Sequence, residues 1–219
     1  MDVKEAIEKR RAYRSLQKAG IGESTVHELA EAARLCCSAE NHQPWRFVFV
    51  TDEKTLLALQ PALASYNAWA RTASMLVAVC SSEKLDDTVD DRNVVPDVPG
   101  AGDLKWNGNT RAYYLFDTGL ATAFMILRAT ELGLVAHPIA GYLEQRVQEV
   151  LRIPRDMTVI AMLVVGKRAA EVDPSLPADL KADELHRPPR LPFEDFAFVN
   201  HYSHRETVPA SRNILRRKK

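Results

Sequence analysis

Two groups of residues in this sequence have the types and spacing to do chemistry. The first is a compact set of cations near the N-terminus, Arg10, Arg11 and Arg14. Guanidinium groups hold phosphate oxygens through paired, charge-assisted hydrogen bonds, so these arginines predict an anion site. A phosphate needs further partners, and Arg187 and Arg190, near the other end of the chain, are candidates to converge on it. The alternative interpretation is a solvated basic helix end that complements the helix dipole.

The second group is the polar loop, which opens the stretch SAENHQPWRFVFV at residues 38–50. Ser, Glu, Asn, His and Gln crowd into the residues before Pro44, and an apolar run follows at once. A plain surface connection does not need so many directional side chains at the entrance to a buried strand. The plainest interpretation is a capped turn, which leaves the number of directional side chains unexplained.

Other chemistries lack their usual sequence signals. There is no G-x-x-x-x-G-K-[ST] loop, and PGAG at 99–102 follows no predicted strand and opens no helix, so a Rossmann site is unsupported. Ser38 and His42 could join an aspartate in a hydrolase triad, but no G-x-S-x-G elbow supports this. His201 and His204 lie in a polar tail without a cysteine pair or carboxylate group, so no metal site is predicted.

Composition limits the class of protein. The 219 residues are 46% apolar and 26% charged, with a net charge of zero, as in ordinary globular proteins. A neutral chain lacks the attraction that binders of nucleic acid or anionic membranes need, so neither partner is predicted. The N-terminus carries no apolar signal-peptide region, and the three cysteines form no C-x-x-C pair. A cytoplasmic location is predicted, with Cys36 and Cys37 as small core residues.

The elements that must position these groups follow from hydrophobic spacing. Thr25 and Glu28 form a capping box that predicts the start of one helix, and Gly133 predicts the end of the most apolar one. Strands without polar alternation are expected where helices cover both faces of a sheet. Helices are predicted at 1–10, 26–35, 52–63, 112–132 and 144–151, and strands at 47–50, 75–80 and 158–166.

Two segments do not fit this alternation of helices and strands. Residues 81–110 are polar, acidic and rich in Pro and Gly, which predicts a lid or an excursion with local structure. Trp106 within it is a candidate to stack on an aromatic substrate. From about residue 167 the chain is a Pro-rich C-terminal arm.

Together the motifs resemble the nitroreductase family of FMN-dependent oxidoreductases. RRAYR at 10–14, followed by the polar loop, is similar to the family's R-R-S-x-R run and its P-S-x-x-N-x-Q-P-W-x-F segment. GLATAFMILRATELGL resembles its dimer-forming helix, PIAGY its P-I-x-G-F turn, and RLPFED its C-terminal R-K-P-L-E-E segment. Ala12 and Cys37 depart from the pattern, since the family usually has Ser and Pro there, and 81–110 matches none of its motifs.

The resemblance implies an α+β fold, a nitroreductase-like three-layer α-β-α sandwich with a central mixed sheet flanked by helices. It implies one domain over 1–219 and an intertwined homodimer with FMN at the interface. The implied reaction is ping-pong hydride transfer from NAD(P)H to a small acceptor such as a nitroaromatic or quinone, with no catalytic side chain because the flavin carries the chemistry. The implied cofactor contacts are Arg10, Arg11, Arg14, Ser38, Ala39, Asn41, Asn67, Pro138, Ile139, Ala140, Gly141, Arg187 and Arg190.

Three alternatives stay open on the same scaffold: a reductive dehalogenase, a flavin-consuming enzyme, or a flavin-binding protein without activity. In the dehalogenating branch of the family a hydroxyl side chain donates to flavin N5. The matching stretch here, AHPIAG at 136–141, carries no hydroxyl, which favours hydride transfer over one-electron chemistry. His137 is a possible donor, although a residue before proline is held extended.

Overall fold

The computed structural model describes residues 1–82, 84 and 112–202. Within these residues the helices are α1 (Val3–Lys9), α2 (Glu23–Arg34), α3 (Glu53–Leu59), α4 (Tyr113–Glu131), α5 (Glu144–Leu151), α6 (Ala178–Leu185) and α7 (Phe193–Phe196). The strands are β1 (Leu16–Gln17), β2 (Trp45–Val50), β3 (Met75–Ser81), β4 (Val135–Ile139) and β5 (Thr158–Arg168). Short 3-10 turns cover Ala39–Asn41, Gln60–Ala62 and Ser65–Thr72.

The five described strands form one sheet centred on β5. β5 pairs with β3, with β4 and, at its last residues, with β1, while β2 pairs with the other edge of β3. Every one of these pairings is antiparallel. The expectation of a mixed sheet is therefore wrong for the described strands, because long stretches between successive strands let the chain return in either direction.

Side chains alternate across the sheet and build a core on each face. In β3, Met75, Val77 and Val79 face the core that contains α2 and α4. Leu76, Ala78 and Cys80 face the opposite core, which contains Leu59 of α3 and Val147 of α5. Because both faces are covered, a strand can be apolar throughout, as the sequence pattern indicates. The predicted three-layer α+β architecture is confirmed.

Helix ends agree with the sequence in some places and differ in others. α3 begins after Asp52, whose carboxylate accepts from the amide of Thr55, and it gives way to a 3-10 turn over Gln60–Ala62, which contains Pro61. The predicted capping box is wrong, because α2 begins at Glu23, after Gly22, and Thr25 lies inside it. Gly133 follows α4 with a φ of 73°, the left-handed conformation that favours glycine.

The sequence pattern did not predict two of the strands and two of the helices. β1 has two residues, β4 contains a proline, and α6 and α7 lie in the predicted Pro-rich arm. The two residues of β1 and the four of α7 are too few to show a periodicity, and Pro138 interrupts the pattern of β4. Cys37 is another difference: it is exposed, whereas Cys36 and Cys80 are buried.

No helix among the described residues has both the length and the apolar character needed to cross a bilayer. Of the predicted lid, only residues 81, 82 and 84 belong to the described part of the chain, and Trp106 does not. The lid and the substrate contact of Trp106 therefore stay predictions.

Candidate functional site

Five arginines from the two ends of the chain meet in one small cleft. Its walls come from the segment that follows α1, and from the last turn of α6 together with the segment that follows it. The predicted convergence of Arg187 and Arg190 on the N-terminal cluster is thus found in the structure. The residues that line the cleft are Arg10, Arg11, Ala12, Arg14, Asp183, Arg187, Pro188 and Arg190.

The five guanidinium groups differ in what they contact. Arg11 donates to the backbone carbonyl of Asp183 at 2.5 Å, and Arg187 donates to the carbonyls of Glu8 and Arg10. These two arginines therefore hold the walls of the cleft together. Arg14 lies 4.0 Å from the Asp183 carboxylate. The guanidinium groups of Arg10 and Arg190 have no such partner within the described part of the chain.

Electrostatic repulsion is concentrated at Arg10. Burial lowers the pKa of its guanidinium most, and the charges of Arg187 and Arg190 lower the pKa further. A cation that is partly desolvated among other cations is destabilised unless an anion compensates it. The cleft is thus a site whose electrostatics favour a bound anion.

Glu184 holds the C-terminal wall of this cleft in place. Its carboxylate is 1% exposed and accepts hydrogen bonds from the amides of Arg14, at 2.7 Å, and Ser15, at 3.2 Å. These bonds join the end of α6 to the segment between α1 and β1. No sequence pattern marks Glu184 as important, because the residues around a glutamate give no sign that it will be buried.

The polar loop adopts an unusual backbone. Glu40, Asn41 and Gln43 have φ values of 47°, 63° and 50°, in the left-handed region that residues other than glycine seldom occupy. Inside the loop, the amide of Gln43 donates to Ser38 Oγ at 3.0 Å. The Gln43 side chain also donates to Asn41 Oδ1 at 3.1 Å. The predicted residues Ser38 and Asn41 thus shape the loop.

Ala39, another predicted contact, uses both of its backbone groups within the protein. Its amide donates to Asp117 Oδ2 at 2.9 Å, and its carbonyl accepts from the His42 amide at 3.0 Å. Ala39 therefore has no free backbone N–H to offer a ligand. Asp117, on α4, is 3% exposed and is a second residue that the sequence analysis did not single out.

The turn at Pro138–Gly141 includes the last two residues of β4 and is fixed by the segment around Asn67. The carbonyl of Gly141 accepts from the amide of Ala64 at 2.9 Å and from Asn67 Nδ2 at 3.0 Å. Asn67 is buried, and the structure brings it to the predicted turn. The Tyr66 ring lies against Gly141 so closely that a Cβ there would stand 2.1 Å from the tyrosine oxygen.

His137 connects this turn to the arginine cleft. Its Nδ1 lies 3.1 Å from the carbonyl of Tyr13, so Nδ1 carries the proton in that contact. The imidazole packs on Trp69 with ring centroids 4.7 Å apart. Burial first, and then the charges of Arg14 and Arg10, lower the pKa of His137 to about 4. The ring is therefore neutral near pH 7 and provides no proton donor other than the one given to Tyr13.

The sequence profile of the nitroreductase family matches residues 7–167. The chain belongs to the nitroreductase family. An oxygen-insensitive NADPH nitroreductase of Helicobacter pylori is 32% identical over 164 residues, which are 67% of this chain and 77% of that protein. An NADH dehydrogenase of Thermus thermophilus is 28% identical over 189 residues, which are 80% of this chain and 91% of that protein.

Solved structures of other nitroreductase-like proteins agree with the fold. A protein of Exiguobacterium sibiricum 255-15, solved in complex with FMN, superposes with a TM-score of 0.67 and 26% identity over 91% of this chain and 97% of its own. An oxidoreductase containing FMN gives a TM-score of 0.72 and 28% identity, covering 94% of each chain. The predicted family is confirmed, and the predicted cofactor and electron donor agree with the names of these relatives.

The two buried cysteines give no sign of a nucleophile. Burial raises the pKa of Cys36 to about 11 and that of Cys80 to about 12, so both remain thiols. Within 1–82, 84 and 112–202, no three His, Cys, Asp or Glu side chains are grouped as metal ligands would be.

Proposed function

We propose that this protein is an FMN-dependent oxidoreductase that uses NAD(P)H to reduce small acceptors such as nitroaromatics or quinones. The observation that carries the proposal is the arginine cleft, in which Arg10 and Arg190 present cations without a partner among the described residues. FMN ends in a phosphate that carries close to two negative charges near neutral pH. Such a group would offset the repulsion at Arg10.

The arginines divide into two roles under this proposal. Arg10, Arg14 and Arg190 hold the phosphate, since their guanidinium groups are unpaired or weakly paired within the described residues. Arg11 and Arg187 shape the cleft, because they already donate to backbone carbonyls. The resemblance to the family likewise implies that Arg10, Arg14 and Arg190 hold the FMN phosphate.

The isoalloxazine ring would be held between the polar loop and the turn at Pro138–Gly141. Ser38 Oγ accepts from Gln43 and keeps its own proton free to donate, while Asn41 keeps its side-chain N–H groups. Asn67 donates one N–H to Gly141 and retains its second N–H and its carbonyl oxygen. Hydrogen-bonding capacity therefore remains for the polar edge of a flavin. Ala39 contributes through the shape of the loop.

Bound FMN would supply the redox chemistry between NAD(P)H and the acceptor, and donor and acceptor would use the same site in turn, as in ping-pong kinetics. The chain itself orients the ring and anchors the phosphate. Cys36, Cys80 and His137 are in states that neither attack a substrate nor exchange a proton with it near pH 7. No side-chain acid, base or nucleophile is assigned to the reaction.

We also propose that the active form is a homodimer. α4 leaves Leu115, Phe116 and Phe124 between 38% and 61% exposed in the single chain. The C-terminal arm exposes Phe193, Phe196, Val199 and Tyr202 by 61% or more. Apolar surface in such amounts is typical of subunit interfaces.

The test of the cofactor assignment is FMN titration of the purified protein, followed by anaerobic addition of NADH or NADPH. The wild-type protein should bind FMN and its flavin absorbance should bleach. Arg190→Ala should raise the Kd for FMN by about tenfold or more, because a charge-assisted contact to phosphate is lost. Arg155→Ala is the matched control, since Arg155 is a surface arginine with a 74% exposed side chain.

Three results would contradict the proposal. Wild-type protein that cannot be loaded with FMN would refute the cofactor. An FMN affinity that is the same in Arg190→Ala and Arg155→Ala would refute the phosphate assignment. FMN that binds but is not reduced by either nicotinamide would favour a flavin-binding protein without oxidoreductase activity.

A further inference from the structure

Asp117 makes a contact that its position in an apolar helix does not explain. It lies in the second turn of α4 and is 3% exposed, yet its carboxylate accepts from the amide of Ala39, 78 residues earlier in the chain. Within the described residues, neither a lysine nor an arginine pairs with this carboxylate. Burying an unpaired carboxylate opposes folding, so packing alone does not account for it.

The loop that receives this contact cannot hold its shape by local preference. Glu40, Asn41 and Gln43 all occupy the left-handed region. A residue other than glycine costs on the order of 1 kcal/mol there, so three of them within four positions persist only if the surroundings fix the loop. The bond from Gln43 to Ser38 closes the loop but does not attach it to the rest of the protein.

Hydrogen bonds from α4 and from the neighbouring strand β3 attach the two ends of the polar loop to the rest of the protein. At the first end, Asp117 accepts from Ala39 at 2.9 Å. At the second end, Ser81 Oγ, which is fully buried, donates to the carbonyl of Pro44 at 2.9 Å and lies 3.4 Å from the carbonyl of Tyr114. The first two turns of α4 are thus connected to both ends of the polar loop.

We propose that Asp117 is a positioning residue that holds the polar loop in the shape that binds FMN. The inference rests on the proposed function, in which Ser38 and Asn41 face the flavin on either side of Ala39. A carboxylate forms a stronger bond to an amide than a neutral acceptor does, which suits a strained loop. Asp117 acts through Ala39 and does not itself touch the cofactor in this proposal.

The experiment compares Asp117→Ala, Asp117→Asn and wild-type protein. Asn can accept the same hydrogen bond through its side-chain oxygen, whereas Ala cannot. Amide hydrogen exchange of the FMN-free protein is measured on peptides that cover 36–46, and the Kd for FMN is measured by titration. Glu131→Ala is the control, because Glu131 is a partly exposed carboxylate at the other end of the same helix.

The proposal expects faster exchange of the loop in Asp117→Ala and a Kd for FMN about tenfold or more above wild type. Asp117→Asn should restore both to within about threefold of wild type. Should Asp117→Ala fail to fold, Ser81→Ala tests the same attachment from the other end and should also loosen the loop and weaken FMN binding.

Two results would overturn it. One is an Asp117→Ala protein with wild-type exchange at the loop and wild-type FMN affinity. The other is an Asp117→Asn protein that folds but behaves as the alanine variant does, since rescue by an equivalent acceptor would then be absent. If wild-type protein binds no FMN, the proposed function fails, and loop exchange alone then decides whether Asp117 fixes the loop.

Discussion

Acidification should destabilise the folded protein through His137, and the size of the effect can be worked out from its surroundings. The ring is 7% exposed, packs on Trp69, and is bonded to the Tyr13 carbonyl. Burial, and then the charges of Arg14 and Arg10, lower its pKa from 6.5 to about 4, although the Tyr13 bond acts in the opposite direction. The folded state therefore resists protonation that the unfolded chain accepts readily.

The sign and magnitude follow from proton linkage. Well above pH 6.5 the imidazole is neutral in both states and has no effect on the pH dependence of stability. As the pH falls from 6.5 towards 4, the unfolded state binds a proton that the folded state does not, so the free energy of unfolding decreases by about 1.4 kcal/mol per pH unit. The loss is about 2 kcal/mol at about pH 5 and approaches about 3 kcal/mol at about pH 4.

The assay is urea unfolding at several pH values between about 7.5 and about 4.5, with His137→Asn as the comparison. Asn can place a side-chain N–H where Nδ1 donates to Tyr13 but does not titrate. The variant should be less stable than wild type at neutral pH, because the ring contact with Trp69 is lost, and its stability should fall less steeply in acid. Other titrating groups affect both proteins equally. Unfolding free energies that stay parallel to within about 0.5 kcal/mol over this range would refute the reasoning.

Three further outcomes are expected. Glu184→Ala should lower the free energy of unfolding by about 1–3 kcal/mol, measured in urea, because two amides near Arg14 lose their acceptor; unchanged stability would contradict the assigned role. Gly141→Ala should change stability by less than about 1 kcal/mol, because the exposed Tyr66 ring can swing away from the new Cβ, and a larger loss would show that the ring is fixed. Phe124→Glu should shift sedimentation at micromolar protein from twice the chain mass towards the chain mass, while an unaltered dimer would exclude α4 from the interface.

Local sequence determined the elements with a strong pattern. The apolar run at 75–80 became β3, and the long apolar stretch from 112 became α4, with Gly133 in the left-handed conformation after it. A hydrophobic periodicity sustained over many residues is set by the chain itself, and so is the conformational freedom of glycine. The motifs around Arg10 and Ser38 are likewise local sequence features, and they carry the resemblance to the family.

Only the tertiary structure decided which residues meet. That Arg187 and Arg190 reach Arg10 depends on the buried carboxylate of Glu184, whose two hydrogen bonds cross about 170 residues of sequence. The antiparallel sheet, the Asp117 bond to Ala39 and the lowered pKa of His137 also depend on long-range packing. Sequence patterns report the preferences of neighbouring residues, whereas burial and charge at a site are sums over residues that come together only when the chain folds.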